Sequence, residues 1–526
     1  MSNARQLLDD LTRQLKEQDE ATSAVPDATP PGEHRRLCIG MATFDDFDGV
    51  YFTVQSLRMY HPEVLDEVSF LVLDNHPEGP ASGDLKGLDS RIPHLRYFPF
   101  RGYRSTAARD LIFRNADADI VLCLDSHVLL RAGAVRALLD FFDANPTSRD
   151  LVQGPLVDDR LESVIGSHLS ATWGGGMYGR WDTDDRAKDP DGPPFEIEMQ
   201  GLGVFACRRE AWPGLNPRFR GFGGEEGYLH EKVRRNGGRV LCLPALAWTH
   251  RFARPGGPPY RPTWEDRVRN YRIGWGELDW DAAPMEAHFR DHVEDPERAE
   301  IILEQTERQL ASPFTFFDAV FCLNLDRATD RWETMSQRFG MLDIGWRVER
   351  FPAVDTPDNH HRGVALSFRA MIAEAQRRGY ANVLVIEDDA VFLDSTIDVL
   401  GTAVDELATH EWDIVYLGGC PHGRSFPFVE GSSVLQEPSG MTCTHALAFN
   451  HTSFDRLLDE LPAADAEDPA AFDAWLAKYV AIDQYLPRRI DSGAYRALAV
   501  YPRVASQPAL TQYADSDLAL RARYTI

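Results

Sequence analysis

At 526 residues the chain exceeds the size at which one hydrophobic core stops growing, so two domains of about 250 residues each are expected. Hydrophobic residues at 43% and charged residues at 26% are ordinary for a globular protein, with disorder confined to ends and linkers. A formal net charge of −27 without any Lys/Arg block argues against nucleic acid or an anionic membrane as partner and reads as solubility.

Residues 4 to 19 form an expected amphipathic helix with Leu7, Leu8, Leu11 and Leu15 on one side, a packing arm or homo-oligomer contact, and Ala24 to Glu33 reads as a linker. The start of the chain is too polar for a signal peptide, and no stretch approaches the roughly 18 apolar residues of a transmembrane segment. Cysteines at 38, 123, 207, 242, 322, 420 and 443 lack CxxC or framework spacing, as expected of buried thiols in a reducing, cytoplasmic compartment. The heavy excess of Arg over Lys points to a GC-rich bacterial genome.

From Arg36 the pattern alternates: strands over Leu37 to Ala42, Ser69 to Leu73 and Ile120 to Leu124, with helices near Tyr51 to Tyr60 and Ser105 to Asn115. A second apolar set, Gly203 to Cys207 and Arg239 to Leu243, flanks a helix expected over Glu226 to Asn236 and stopped by Gly237-Gly238. The Pro- and Gly-rich segment Ala253 to Pro262 and a helical tail should end this domain. Residues 281 to 313 read as a helical connector. A second alternating series follows: strands at Ala319 to Leu325, Asn382 to Ile386 and Asp413 to Leu417, and helices at Thr329 to Phe339 and Val364 to Arg378. The expected fold class is α/β, with mostly parallel sheets covered by helices. The division is 1–33, 34–280, 281–313 and 314–526.

Two acidic strand ends carry most of the chemistry, Cys123-Leu124-Asp125-Ser126-His127 and Val385-Ile386-Glu387-Asp388-Asp389. Open α/β sheets build ligand sites at such carboxyl ends. Alternate strand residues point one way, so Asp125 and His127 should reach one cation together while Ser126 faces elsewhere. His250, just after another strand, is the candidate third ligand. A carboxylate, imidazoles and diphosphate oxygens suit Mn²⁺ better than Mg²⁺. In Gly221-Phe222-Gly223-Gly224-Glu225-Glu226, glycines admit close backbone approach and two carboxylates open a helix, where one can take a proton from an attacking hydroxyl. Trp173 to Met177 and Phe195 to Gln200 are either a mobile flap that stacks on substrate or a surface loop.

With those residues in place, 36 to 275 resembles bacterial family-two-type GT-A glycosyltransferases, akin to polypeptide N-acetylgalactosaminyltransferases. The resemblance implies a metal held by Asp125, His127 and His250, and a nucleoside near Asp74. It also implies donor contact at Arg109 and a catalytic base at Glu226, with Glu225 its alternate. Inverting relatives carry Glu-Asp where this chain has Glu225-Glu226, and retaining ones carry Glu-Asn, so inversion is the expected outcome.

In the second half, Asn324-Leu325-Asp326-Arg327 and Asp330-Arg331 place cations beyond a first strand. Arg327 and Arg331, four apart on an early helix, could clamp phosphates. With Glu387-Asp388-Asp389, Gly363, Ser367, Ile482-Asp483-Gln484, Tyr501-Pro502, Gln507 and Ser516-Asp517, this half resembles the lipopolysaccharide-type family that includes procollagen galactosyltransferases. That resemblance implies donor contacts at Asn324, Arg327, Arg331 and Asp388, a cation at Asp389 and an acceptor near Asp483. Phe368 stands where that family has a histidine. The expectation is two GT-A-like nucleotide-sugar transferase domains in tandem, acting in two steps on a glycan, peptide or small-molecule acceptor. The alternative keeps one active domain and makes the second a binding module. A glycoside hydrolase is disfavoured, because it gives no reason for the DxH site.

Overall fold

The structure is a computed structural model describing residues 34–100, 104–251, 262–463, 469–508 and 525–526. The amino-terminal helix and its linker, Phe252 with most of the Pro- and Gly-rich segment, and Ser516-Asp517 lie outside these residues. The chain divides into compact units spanning Gly32–Ala311 and Ser312–Ile526.

The strands of the first unit include β1 (Arg35–Thr43), β2 (Val68–Asp74), β3 (Leu95–Pro99), β4 (Ala118–Asp125), β5 (Val128–Leu130), β6 (Leu151–Gln153), β7 (Phe195–Glu196), β8 (Val204–Arg208), β9 (Val240–Cys242) and β10 (Trp248–His250). The main sheet has the order β7-β9-β6-β8-β4-β1-β2-β3. β3, β2, β1 and β4 run parallel, and β8 lies antiparallel against β4. Side-chain alternation sorts each strand between two cores. Leu37, Ile39, Met41, Ile120, Leu122 and Leu124 enter one, while Cys38, Val121 and Cys123 enter the other. A sheet buried on both faces reads as continuous apolar runs, and that is how β1 and β4 read.

The segment expected as a connector packs into this unit. The helices α4 (Ala283–His292) and α5 (Pro296–Leu310) enclose a separate core with α3 (Trp264–Glu277), built on Tyr271, Trp275, Met285, Phe289 and Leu303. The glycine-rich stretch after Trp173 is the turn of an antiparallel hairpin, His168–Gly174 with Met177–Asp182. Gly175 and Gly176 sit at φ 60° and 71°, the left-handed pair that a two-residue hairpin turn requires. The tip of this hairpin packs on the helices of the unit. The Gly176 N–H donates to His288 Nε2 at 3.1 Å, Arg267 donates to the Gly176 carbonyl, and the Trp173 ring packs against Tyr271, His288 and Phe289.

The second unit repeats the central arrangement with β11 (Ala319–Asn324), β12 (Val348–Pro352), β13 (Asn382–Glu387), β14 (Ile414–Cys420), β15 (Leu435–Gln436), β16 (Thr442–Asn450) and β17 (Ala497–Val500), ordered β12-β11-β13-β16-β14-β17-β15. In both units the strand that ends in acid lies between a parallel first strand and an antiparallel later one. The helix after β11 starts at Thr329, so Arg331 lies on it whereas Arg327 stands in the turn before it. All seven cysteines are free and six are buried. Among the described residues no helix is long and apolar enough to cross a membrane.

Phe289 is fully buried at the centre of the α3–α4–α5 core. Phe289→Ala should therefore destabilise the first unit by about 3–5 kcal/mol, read as a downward shift of its transition in denaturant titration.

Candidate metal and carboxylate centre

Parallel pairing sets the carboxyl ends of β1, β2 and β4 side by side, with Thr43 opposite Asp74 and Ala42 opposite Asp125. Asp125 ends its strand, and Ser126-His127 form a turn before β5. His127 therefore reaches Asp125 through a turn, not through strand alternation. Ser126 does not face away from the site but donates to the carboxylate of Asp46 at 2.9 Å. His250 arrives by tertiary pairing: β10 runs antiparallel to β5, with His250 opposite Val128. The ligand atoms of Asp125, His127 and His250 all fall within 4.8 Å of one another, the one such group of three among the described residues.

The buried Asp46 side chain, which the sequence reading missed, organises this cluster. It caps the helix α1 (Phe47–Tyr60) by accepting from the Gly49 N–H, and its other oxygen lies 2.9 Å from His127 Nδ1. With Nδ1–H committed to a carboxylate, the neutral His127 ring presents the Nε2 lone pair, which sits 3.0 Å from His250 Nε2. Thr53 holds the same turn through the Ser126 and Val128 carbonyls. Gly49 is needed for close approach, since a Cβ there would stand 2.6 Å from the Ser126 carbonyl oxygen. The missed signal was an N-cap Asp at a strand's carboxyl end, Thr43-Phe44-Asp45-Asp46.

The donor set, one carboxylate oxygen and two imidazole nitrogens with an outer carboxylate, fits a divalent transition metal. Arg109 donates to Asp125 Oδ1 at 2.6 Å. Burial pushes the Asp125 carboxyl up, but Arg109 and His250 outweigh it and hold it well below the usual carboxylate range. Asp74 is fully buried, accepting from the Tyr97 hydroxyl and the His76 N–H. Beside it, His76 pairs with Asp45 at 2.6 Å and stacks on Phe44, a second cluster the sequence reading passed over.

Glu225 and Glu226 open the helix α2 (Glu225–Arg235), where its dipole favours negative charge. Both are buried, and each keeps Oε2 without a hydrogen-bond partner among the described residues. Burial first, then the neighbouring Glu225 carboxylate, pushes Glu226 up to about 8. Arg109 carries charge interactions with both Asp125 and Glu225, so it links the metal cluster to the carboxylate pair. Gly223 and Gly224 both adopt φ 97°, a conformation that a side chain would strain. Fully buried Asn270 of α3 clamps this loop: its amide donates to the Arg220 and Gly223 carbonyls at 2.7 and 2.8 Å and accepts from the Arg220 N–H.

In the second unit, Asn324 at the end of β11 donates to Asp388 at 2.7 Å, and Arg331 donates to its other oxygen at 3.0 Å. Arg327 instead forms a two-pronged pair with Asp355, so the two arginines do not make one clamp. Asp389 accepts from the Gln507 amide, which also reaches Glu387. Thr444 donates to Glu387, and burial, reinforced by Asp389 and Asp388, pushes that carboxyl up to about 7. Asp483 stands in the first turn of the helix Ile482–Asp491, raised by burial and close enough to act on Glu387. Phe368 is a core residue packed on Phe449.

No family model and no curated protein matches the sequence. Among solved structures, the chain is similar to GalNAc-T7 with UDP, GalNAc and Mn²⁺, at 15% identity over 52% of this chain and 55% of that one, TM-score 0.38. It is similar to TarS of S. aureus at 12% identity over 52% and 43%, TM-score 0.31. It is also similar to the mannosyltransferase PcManGT from Pyrobaculum calidifontis, in complex with GDP-Man and Mn²⁺, at 15% identity over 55% and 77%, TM-score 0.32. The chain spans about half the length of the first two. Likenesses this distant carry no ligand or reaction across to this chain.

Asp46→Ala should weaken Mn²⁺ binding about 10–100-fold, measured as free Mn²⁺ by electron paramagnetic resonance, because His127 loses the partner that aims it. Asn270→Ala leaves three loop backbone groups without their buried partner and should lower thermal stability by about 1–3 kcal/mol.

Proposed function

We propose that the chain is a metal-dependent hexosyltransferase of GT-A type, transferring sugars from nucleotide-diphospho-sugars of the UDP class. The transfer centre lies in the first unit, and a second donor site lies at the end of β13. The observation that carries this reading is the convergence of Asp125, His127 and His250, joined through Arg109 to a buried carboxylate pair with unpartnered oxygens. A hydrolase acting through paired carboxylates would have no use for the imidazoles.

Asp125, His127 and His250 would hold Mn²⁺, which supplies positive charge to a departing diphosphate. In the proposed transfer, an acceptor hydroxyl oxygen bonds to the anomeric carbon and its proton passes to the Glu226 carboxylate. The bond from that carbon to the diphosphate oxygen breaks, with its electron pair leaving on the diphosphate. Backside attack inverts configuration. Asp74 would lie near the nucleoside, and Arg109 keeps Asp125 ionised.

In the second unit Asn324, Arg331, Asp388 and Asp389 support a donor site for a second step, with Asp483 at the acceptor side. A second reading has its own observation: Asp388 and Asp389 are already held by Asn324, Arg331 and Gln507, as they would be in a transferase-derived binding module.

Asp125→Asn should abolish Mn²⁺-dependent donor hydrolysis by the first unit. Asp389→Asn should leave a shorter product, whereas an unchanged product would leave the second unit a binding module. Because Glu226 acts as base only when ionised, kcat/KM should rise with pH through about 8. Glu226→Gln should remove that limb of the profile and lower kcat at least 100-fold.

A further inference from the structure

Arg267 of α3 stands between the Trp173 hairpin and the loop that leads into the carboxylate pair. It donates from Nη1 to the Gly176 carbonyl at 3.3 Å, and its guanidinium lies over the Trp264 ring, 5.0 Å from the centroid. A Cβ on Gly223 would stand 3.1 Å from Nε, and one on Gly176 would stand 3.2 Å from Nη1, so glycine at both positions admits the side chain. Gly223 precedes Glu226 by three residues. The side chain is half-buried, and its Nε is buried without a hydrogen-bond partner. On the same helix Arg269 pairs with Asp266 and Arg272 with Glu286. Among the described residues Arg267 has no carboxylate within ion-pair distance.

A partly buried cation without a carboxylate of its own is costly unless opposite charge lies nearby. Here that charge belongs to the Glu225–Glu226 pair. Burial and then Glu225 push Glu226 up, while Arg109 and Arg267 act on it in the opposite sense. Arg109 divides its charge, because it also donates to Asp125. Arg267 has no second claim on it: the Trp264 face and the Gly176 carbonyl hold the guanidinium without neutralising it. Asp125 and Glu225 against Arg109 and Arg267 then sum to no net charge, and Glu226 is left as the carboxyl that gains or loses a proton. Three more groups stand around it and are uncharged near neutral pH. These are Tyr271 of α3, Tyr178 of the hairpin beside Gly227, and His230, which meets the Glu226 carbonyl and is held well below its ordinary range by burial.

We propose that Arg267 is a positioning residue that acts through Glu226, its fixed charge letting the proposed base shed its proton near neutral pH and so stand ready for the acceptor's. The role of Glu226 as base rests on the transferase reading, whereas the charge contact does not. Removing the cation leaves the pair to Arg109, already shared with Asp125. Two substitutions separate this role from one of merely pinning the hairpin. Glutamine keeps an N–H donor for the Gly176 carbonyl and loses the charge, and lysine keeps the charge and loses the planar fork.

Infrared titration of the metal-free full chain reads the Glu226 carboxyl directly, with its band assigned by subtracting the spectrum of Glu226→Gln. The midpoint should lie at about 8 in the unaltered chain. It should move up by roughly one pH unit in Arg267→Gln and Arg267→Met, leaving about tenfold less ionised base at neutral pH, and stay in place in Arg267→Lys. The rising limb of kcat/KM for Mn²⁺-dependent hydrolysis of UDP-glucose, UDP-galactose or UDP-N-acetylglucosamine should move with it. Melting curves check that each variant is folded. An unchanged midpoint in folded Arg267→Gln and Arg267→Met, or an equal shift in Arg267→Lys, would overturn the proposal. So would failure of both charge-free variants to fold, which would make the residue structural. A shifted midpoint with no donor hydrolysed by the unaltered chain would sink the transferase reading and leave the charge contact standing.

Discussion

A neutral imidazole carries its lone pair on one ring nitrogen, and a partner at the other nitrogen fixes which one; in this protein the Asp46 carboxylate beside Nδ1 does so for His127. Much of the first unit's architecture serves the contact. Asp46 ends the loop after β1 and caps α1, so one side chain fixes both the helix start and the ring. Gly49 and Thr53 bring that helix against the Ser126 turn, and the β5–β10 ladder then sets His250 against His127. The cluster is aimed from outside itself. Its charge is balanced the same way, with Arg109 on Asp125 offsetting the cost of a buried carboxylate.

The carboxylate pair works by the opposite electrostatics. Glu225 and Glu226 are adjacent, buried and short of partners, so Glu226 tends to hold its proton, whereas Asp125 is kept ionised. Two acids driven apart by their surroundings can serve two roles in one centre. Asn270 and the left-handed glycines before α2 hold the loop that leads into the pair.

The two units share a sheet plan but resolve their strand ends differently. In the first, imidazoles gather around one aspartate. In the second, Asp388 is held by Asn324 and Arg331, Asp389 by Gln507, and Glu387 by Thr444. The position where the resembling family has a histidine is filled by Phe368 within the core, so that side chain serves packing.

The sequence by itself determined the strands and their end residues. Apolar runs closing in Asp125 and in Glu387-Asp388-Asp389 are local patterns, and burial on both sheet faces writes them directly into the chain. The glycines before Glu225 were legible for the same reason, because a left-handed backbone admits few residues. Tertiary structure alone decided what those ends meet. Asp46 lies 81 residues from His127, and His250 lies 123 away. No local period encodes such pairings, which arise from strand order and helix docking. The 281–313 segment shows the same limit: its amphipathic helices read as a connector, yet their apolar side is satisfied by α3 and the Trp173 hairpin. A periodic pattern states that a face must be buried, and only the fold supplies the surface that buries it.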